Sequence, residues 1–157
     1  MFFWELPLLE ALHLIAAVIW IGGMFFAYAC LRPATGELAP SLRLTLWRGV
    51  LQRFLAVVWL AVIALPATGY RLAWLDFGGL VGAPHYVQFM HGAGWLMIAL
   101  FVYLWFGPRR RLIHAAARHD AAAGGAALSR VRLVVLVNLT LGLAILLAVT
   151  VGSFFAI

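Results

Sequence analysis

Residues 6–31 read LPLLEALHLIAAVIWIGGMFFAYACL, and this stretch decides the fold. A helix needs about 20 mostly apolar residues to cross a bilayer. The stretch exceeds that length with Glu10 as its one formal charge and His13 as its one imidazole. Residues 50–70, 86–106 and 131–156 qualify in the same way. The breaks between them are chemically clear. Arg32, Pro33, Ala34, Thr35 and Gly36 end the first span, and Gly107 and Pro108, followed by three arginines, end the third. Gly78, Gly79, Gly82 and Pro84 mark turns between the second and third, where Trp74 and Phe77 suit a membrane interface. The expected fold is all-α, an integral membrane four-helix bundle forming a single domain over residues 1–157.

Composition agrees. Of the 157 residues, 66% are hydrophobic and 10% charged, with mean hydropathy +1.06. A soluble domain carries about 45–50% apolar and about 25% charged residues. One small core could not bury the excess, so lipid must solvate it. The N-terminal Met1, Phe2, Phe3 and Trp4 offer no basic n-region, and the apolar run behind them is too long for a signal-peptide core. The first span is therefore expected to persist as a helix. Cys30 is the single cysteine, which excludes an internal disulfide.

The net charge of +6 comes from arginines placed in or beside short loops. That is the pattern of membrane topology rather than of nucleic-acid binding. Arg32, Arg43, Arg48 and Arg53 surround the first connection. Arg109, Arg110, Arg111, Arg118, Arg130 and Arg132 surround the third, while the second has only Arg71. The positive-inside rule puts connections one and three in the cytoplasm and both termini outside, N-out and C-out. Absence of lysine and abundance of alanine suggest a GC-rich bacterial source, and so a multi-pass protein of the inner (cytoplasmic) membrane. Within the third connection, residues 121–127 with Gly124 and Gly125 read as a flexible loop, part of a solvated basic segment beside anionic lipid.

Ionisable residues inside a span are costly and mark functional sites. His13 lies near the outer end of the first helix and His91 near the outer end of the third, so both imidazoles fall in the same half of the bilayer. The two hairpins could be related by a pseudo-two-fold axis along the membrane normal, with the histidines on opposite sides of it. That arrangement suits a flat cofactor with two axial ligands. His13 shares its stripe with Ala16, Ala17, Trp20 and Gly23, and His91 shares one with Gly94, Trp95 and Ile98. Small residues leave room for a macrocycle and tryptophans wall its edges. Trp20, Gly22 and Gly23 would serve a homodimer contact as readily. Haem also needs partners for its propionates, for which Tyr70 and Arg71 are the candidates. Glu10 is a candidate acceptor behind His13.

The segment from Leu12 to Phe25, with histidine, six residues, Trp20, Ile21 and then Gly22 and Gly23, resembles the opening helix of the CopD family of copper-resistance membrane proteins. It is also similar to the related HemJ family. The resemblance implies a four-helix membrane protein that handles copper, or one that binds haem b in the service of protoporphyrinogen oxidation. HemJ-like proteins carry a lysine in their motifs and this chain has none.

The leading expectation is a b-type membrane cytochrome, a haem-dependent oxidoreductase without an assigned catalytic residue. His13 and His91 would ligate its iron and exchange electrons with a quinone or a periplasmic partner. The alternative is copper transport or resistance of the CopD type, with His13, His85, Met90 and His91 as an outer metal site. A third reading has the histidines only bonding between helices.

Overall fold

A computed structural model describes residues 4–118 and 120–155. Those residues are helical throughout, joined by short turns, with no strand among them. Helix α1 (Glu5–Phe25) runs through a π-helical stretch (Phe26–Leu31) into a single turn, α2 (Arg32–Ala34). Helix α3 (Pro40–Phe77), α4 (His85–Phe106), α5 (Pro108–Ala117) and α6 (Ala121–Phe155) follow. Four segments are long and apolar enough to cross a membrane: Glu5–Ala34, Pro40–Phe77, His85–Ala117 and Ala121–Phe155. Ala156, expected at the end of the fourth span, and His119 lie outside the described residues.

Local chemistry sets the boundaries. Pro40 and Pro108 open α3 and α5 at a position where the missing N–H costs nothing. Gly78, with φ of 69°, ends α3 in the left-handed conformation that glycine adopts freely, and its N–H bonds the Trp74 carbonyl.

Two expectations from sequence need correction. The second span, read as residues 50–70, is the middle of a 38-residue helix. At about 1.5 Å per residue that helix rises roughly 57 Å, well beyond a hydrocarbon core of about 30 Å. Its buried Leu44, Trp47, Leu51, Leu55, Val58 and Val62 recur every three or four residues, so one apolar face continues past Arg43, Arg48 and Arg53. Residues 121–127, read as a flexible loop, are the first turns of α6. Gly124 is buried there because α6 lies tight on α3: a Cβ at this position would stand 2.6 Å from Leu44 Cδ1. The glycine marks a close helix crossing, not a flexible joint.

Helix α1 packs chiefly on α3, and α4 on α6, so the bundle is built of two hairpins. Contact between the hairpins is thinner, and α5 ties α6 to α3 and α4 at the arginine-bearing end. Toward that end the interior is filled by aromatic rings in edge contact. Trp20 meets Phe101 at 6.1 Å between centroids, Phe101 meets Trp59 at 5.0 Å, and Trp59 meets Trp105 at 5.6 Å. The turn after α2 is closed by Trp47, whose indole N–H donates to the buried Thr35 hydroxyl at 3.2 Å.

At mid-height Gly142 of α6 faces α1 and α4. An added Cβ would stand 2.9 Å from Ile21 Cγ1 and 3.4 Å from Met97 Cε. The Gly142→Leu variant is expected to lose about 1–3 kcal/mol through overpacking. Gly125→Ala, where the space is open, should match or exceed the parent by up to about 1 kcal/mol. Thermal unfolding of both variants in one detergent checks the contrast, and equal melting would contradict the packing.

Candidate functional site

Beyond this waist, toward the chain termini, the two hairpins part around a cleft of about 290 Å3. All four membrane-length helices line it, as does Leu80 from the turn after α3, and its walls are largely apolar. His13 of α1 and His91 of α4 both line it and are half-buried.

The local sequence of α3 positions His13. Pro66 has no N–H to give the preceding turn, and Gly69 has no side chain to hold α1 away. A Cβ on Gly69 would lie 3.1 Å from His13 Cε1. Between them in sequence is the buried Thr68, whose Oγ1 stands 2.8 Å from His13 Nδ1 and 2.7 Å from the Ala64 carbonyl. A hydroxyl has one proton. With that proton donated to Ala64, Thr68 accepts from His13, which fixes the imidazole proton on Nδ1. His13 Nε2 keeps its lone pair.

His91 is held differently. Tyr70 Oη lies 2.8 Å from His91 Nε2, and Trp95 Nε1 lies 3.1 Å from both that nitrogen and Tyr70 Oη. An indole N–H can only donate, and it is shared between the two, so Nε2 of His91 is covered from α3 and from the next turn of α4. The Tyr70 and His91 rings meet edge-on at 5.5 Å. One imidazole nitrogen is therefore open and the other covered.

Other expected residues divide clearly. Trp20 lines the cleft from a buried position, and Gly94 and Trp95 line it from α4. A Cβ on Gly94 would meet nothing within 4 Å, so the α4 wall has room. Met90 shares the cleft with His91, although a neighbour on a helix points about 100° away. Arg71, expected to meet propionates, does not line the cleft. Its Nε and Nη2 donate to Glu5 Oε1 at 2.8 and 2.5 Å, tying the last turns of α3 to the first turn of α1. Glu10 is exposed, and the acceptor behind His13 is Thr68 of another helix. His85 is the first residue of α4, exposed and away from the cleft.

Two side chains at the cleft stand outside the candidate site read from sequence, in which Met97 counted only as one of several methionines scattered in depth. Thr68 carries the signal of a lone hydroxyl in an apolar span. Met97 follows Met90 by seven residues, the spacing that repeats one helical face, and both line the cleft. Met97 is 3% exposed, and its carbonyl accepts from Asn138 Nδ2 of α6 at 3.3 Å. Among the described residues no three His, Cys, Asp or Glu side chains gather into a metal-holding group. Met90 and Met97 add two thioethers to the two imidazoles in the cleft lining.

Residues 48–152 match the model of the family described as copper resistance protein D (CopD), well over half of the chain. The matched region holds Thr68, Tyr70, Met90, His91 and Met97, while His13 lies before it. No curated protein and no solved structure matches the chain.

The Thr68 hydrogen bond sets a measurable ring state. In protein labelled with 15N-histidine, His13 should show protonated Nδ1 and bare Nε2, and Thr68→Val should replace this with a mixture of tautomers. A His13 ring protonated on Nε2 in the unsubstituted protein would contradict the assignment.

Proposed function

The chain belongs to the CopD family, and from that premise we propose that this multi-pass membrane protein carries copper as Cu(I), bound in the cleft between its hairpins. The observation that carries the reading is the donor set. His13, His91, Met90 and Met97 bring two imidazoles and two thioethers to one apolar cleft, and no carboxylate lines it. Soft sulfur and imidazole favour Cu(I) over hard divalent ions. A cation in an apolar site is costly unless coordination replaces its water, and these four groups supply that coordination.

Copper is cargo here. The open Nε2 of His13 is the entry ligand. Binding at His91 displaces Tyr70 and Trp95 from its Nε2. They remain satisfied, because the Trp95 N–H already lies 3.1 Å from Tyr70 Oη. Met97 at the waist is the innermost ligand. Passage beyond it requires the hairpins to part at the packed end and close at the open one, which their thin mutual contact favours. With the arginines on the cytoplasmic side, the cleft opens toward the outer face of a bacterial inner membrane.

Haem b ligated by His13 and His91 is the second reading. It is favoured by two imidazoles on different walls of an apolar cleft with room at Gly94. The capped His91 nitrogen and the engagement of Arg71 by Glu5 fit it less well.

Titration of the purified protein with Cu(I) under a competing chelator should give one tight site. His13→Ala and His91→Ala should each weaken it by roughly tenfold or more, as loss of even an outer-shell partner costs 10–100-fold. Met97→Leu should weaken it while leaving the fold intact. A protein that takes up no Cu(I) sinks the copper reading. A Soret band with α and β bands on reduction, lost in both histidine variants, would establish haem instead.

A further inference from the structure

At the opposite end of the bundle a second and larger cleft, about 550 Å3, opens between α5 and α6. It shares no residue with the first. Arg111 and His114 stand at i and i+3 on one face of α5, and Arg118, the residue that caps its C-terminal end, lines the same cleft. Arg130 faces them from α6. The floor is alanine: Ala123, Ala126 and Ala127 follow helical spacing on α6, which leaves the long basic side chains as walls around open space.

The charges in this cleft are unbalanced, with three arginines facing one carboxylate. The one ion pair among the described residues is Arg71 with Glu5, at the other end of the bundle. Asp120 is the one carboxylate lining the cleft, and its Oδ1 accepts the Ala123 N–H at 2.9 Å, capping α6. Three guanidinium groups against one carboxylate leave the cleft net positive, and they repel one another unless a further anion joins them. Guanidinium groups match the oxygens of phosphate in pairs of parallel hydrogen bonds. The cleft also adjoins residues of the kind that gather at lipid headgroups. At the adjoining end of α4 and start of α5, Arg109 lies 4.0 Å over the Trp105 ring and Arg110 lies 5.1 Å over Phe106, an aromatic belt with its cations.

We infer that the α5–α6 cleft is a binding site for a phosphate group, gripped by Arg111, Arg118 and Arg130. An anionic phospholipid headgroup and a soluble phosphate both carry that chemistry. Basic pockets beside membrane helices take anionic lipid in this way.

The test uses the full chain in neutral detergent, with native mass spectrometry as the readout. Phosphatidylglycerol and phosphatidylcholine are offered in turn, and inorganic phosphate is offered as competitor. Phosphatidylglycerol retained in preference to phosphatidylcholine, and not displaced by phosphate, is the expected result for a lipid site. Displacement by millimolar phosphate instead assigns the site to a soluble phosphate. In either case the Arg111→Gln, Arg118→Gln, Arg130→Gln variant should bind roughly a hundredfold more weakly, at about fivefold per arginine. These arginines are exposed, so the variant should keep the parent melting temperature. A control variant with Arg43→Gln, Arg48→Gln and Arg53→Gln loses the same charge elsewhere. Equal retention of the two lipids without any phosphate binding, or equal loss in the two variants, would overturn the proposal. The lipid comparison needs no variant and stands if the substituted protein fails to fold.

Discussion

Gly142 is the point where α6 comes close enough to touch both α1 and α4, against Ile21 and Met97. Lipid solvates apolar faces as well as another helix does, so burial alone does not hold such helices together, and close van der Waals fit must. The absent side chain at Gly142 makes that fit at mid-height. Gly23 makes another within the first hairpin, under the ring of Phe54, and Gly152 makes one within the second, against Tyr86. The Gly142 contact joins the hairpins to each other at mid-height, as Gly124 against Leu44 does at the arginine-bearing end. On one side of it the aromatic chain from Trp20 to Trp105 fills the interior; on the other the hairpins separate and the cleft forms. The cleft floor is made by the waist itself, since Ile21 and Met97 belong to both.

This geometry makes the two histidines unequal, and the inequality matters more than their presence. His13 has its proton fixed by a threonine whose own proton goes to the backbone of α3. That leaves a preorganised lone pair, the condition in which imidazole binds metal without first losing a proton. His91 has its Nε2 covered by Tyr70 of α3 and Trp95 of α4. A ligand that takes the second nitrogen must unfasten Tyr70 from α4, and with it one of the few links between the hairpins. Occupancy of the cleft is thereby coupled to the interface along which the bundle would have to move. A ligand shifts such an equilibrium only through contacts that differ between the two states, and the Tyr70–His91 bond is a contact of that kind.

Much of the architecture was legible in the sequence because lipid imposes length and apolarity directly. The spans, the turns at Gly78 and Pro108, and the meeting of His13 and His91 at one end of the bundle all follow from the order of residues. What hydropathy could not see was helix that continues through charge. Arg43, Arg48 and Arg53 interrupt the apolar run of α3, yet the buried positions from Leu44 to Val62 keep helical spacing through it. Gly124 and Gly125 look like a loop because glycine disfavours isolated helix; Gly124 is helical because its partner is Leu44. In the site, the apolar stripes led to the cleft, but the hydrogen bonds within it depend on neighbours distant in sequence. Thr68 is 55 residues from His13, and Glu5 is 66 from Arg71. No local pattern encodes such pairs, so Glu10, on the same helix as His13, was the natural but incorrect acceptor.

The two ends of the bundle pose opposite electrostatic problems for a cationic cargo. In the orientation that the positive-inside rule predicts, a membrane potential negative inside draws a monovalent cation toward the arginine-bearing end by about 2.3 kcal/mol per 100 mV. The arginine-bearing end opposes it with a positive field, and the one compensated arginine, Arg71, sits at the other end beside the cleft mouth. Anions at the α5–α6 cleft would cancel part of that field where the cation must leave. The proposed phosphate site and the proposed copper site would then be linked through charge rather than contact. Removing Arg111, Arg118 and Arg130 lowers the same barrier that a bound phosphate lowers. Copper movement in that triple variant should therefore lose its dependence on anionic lipid without becoming slower, whereas a merely structural lipid would leave the variant both slower and less stable.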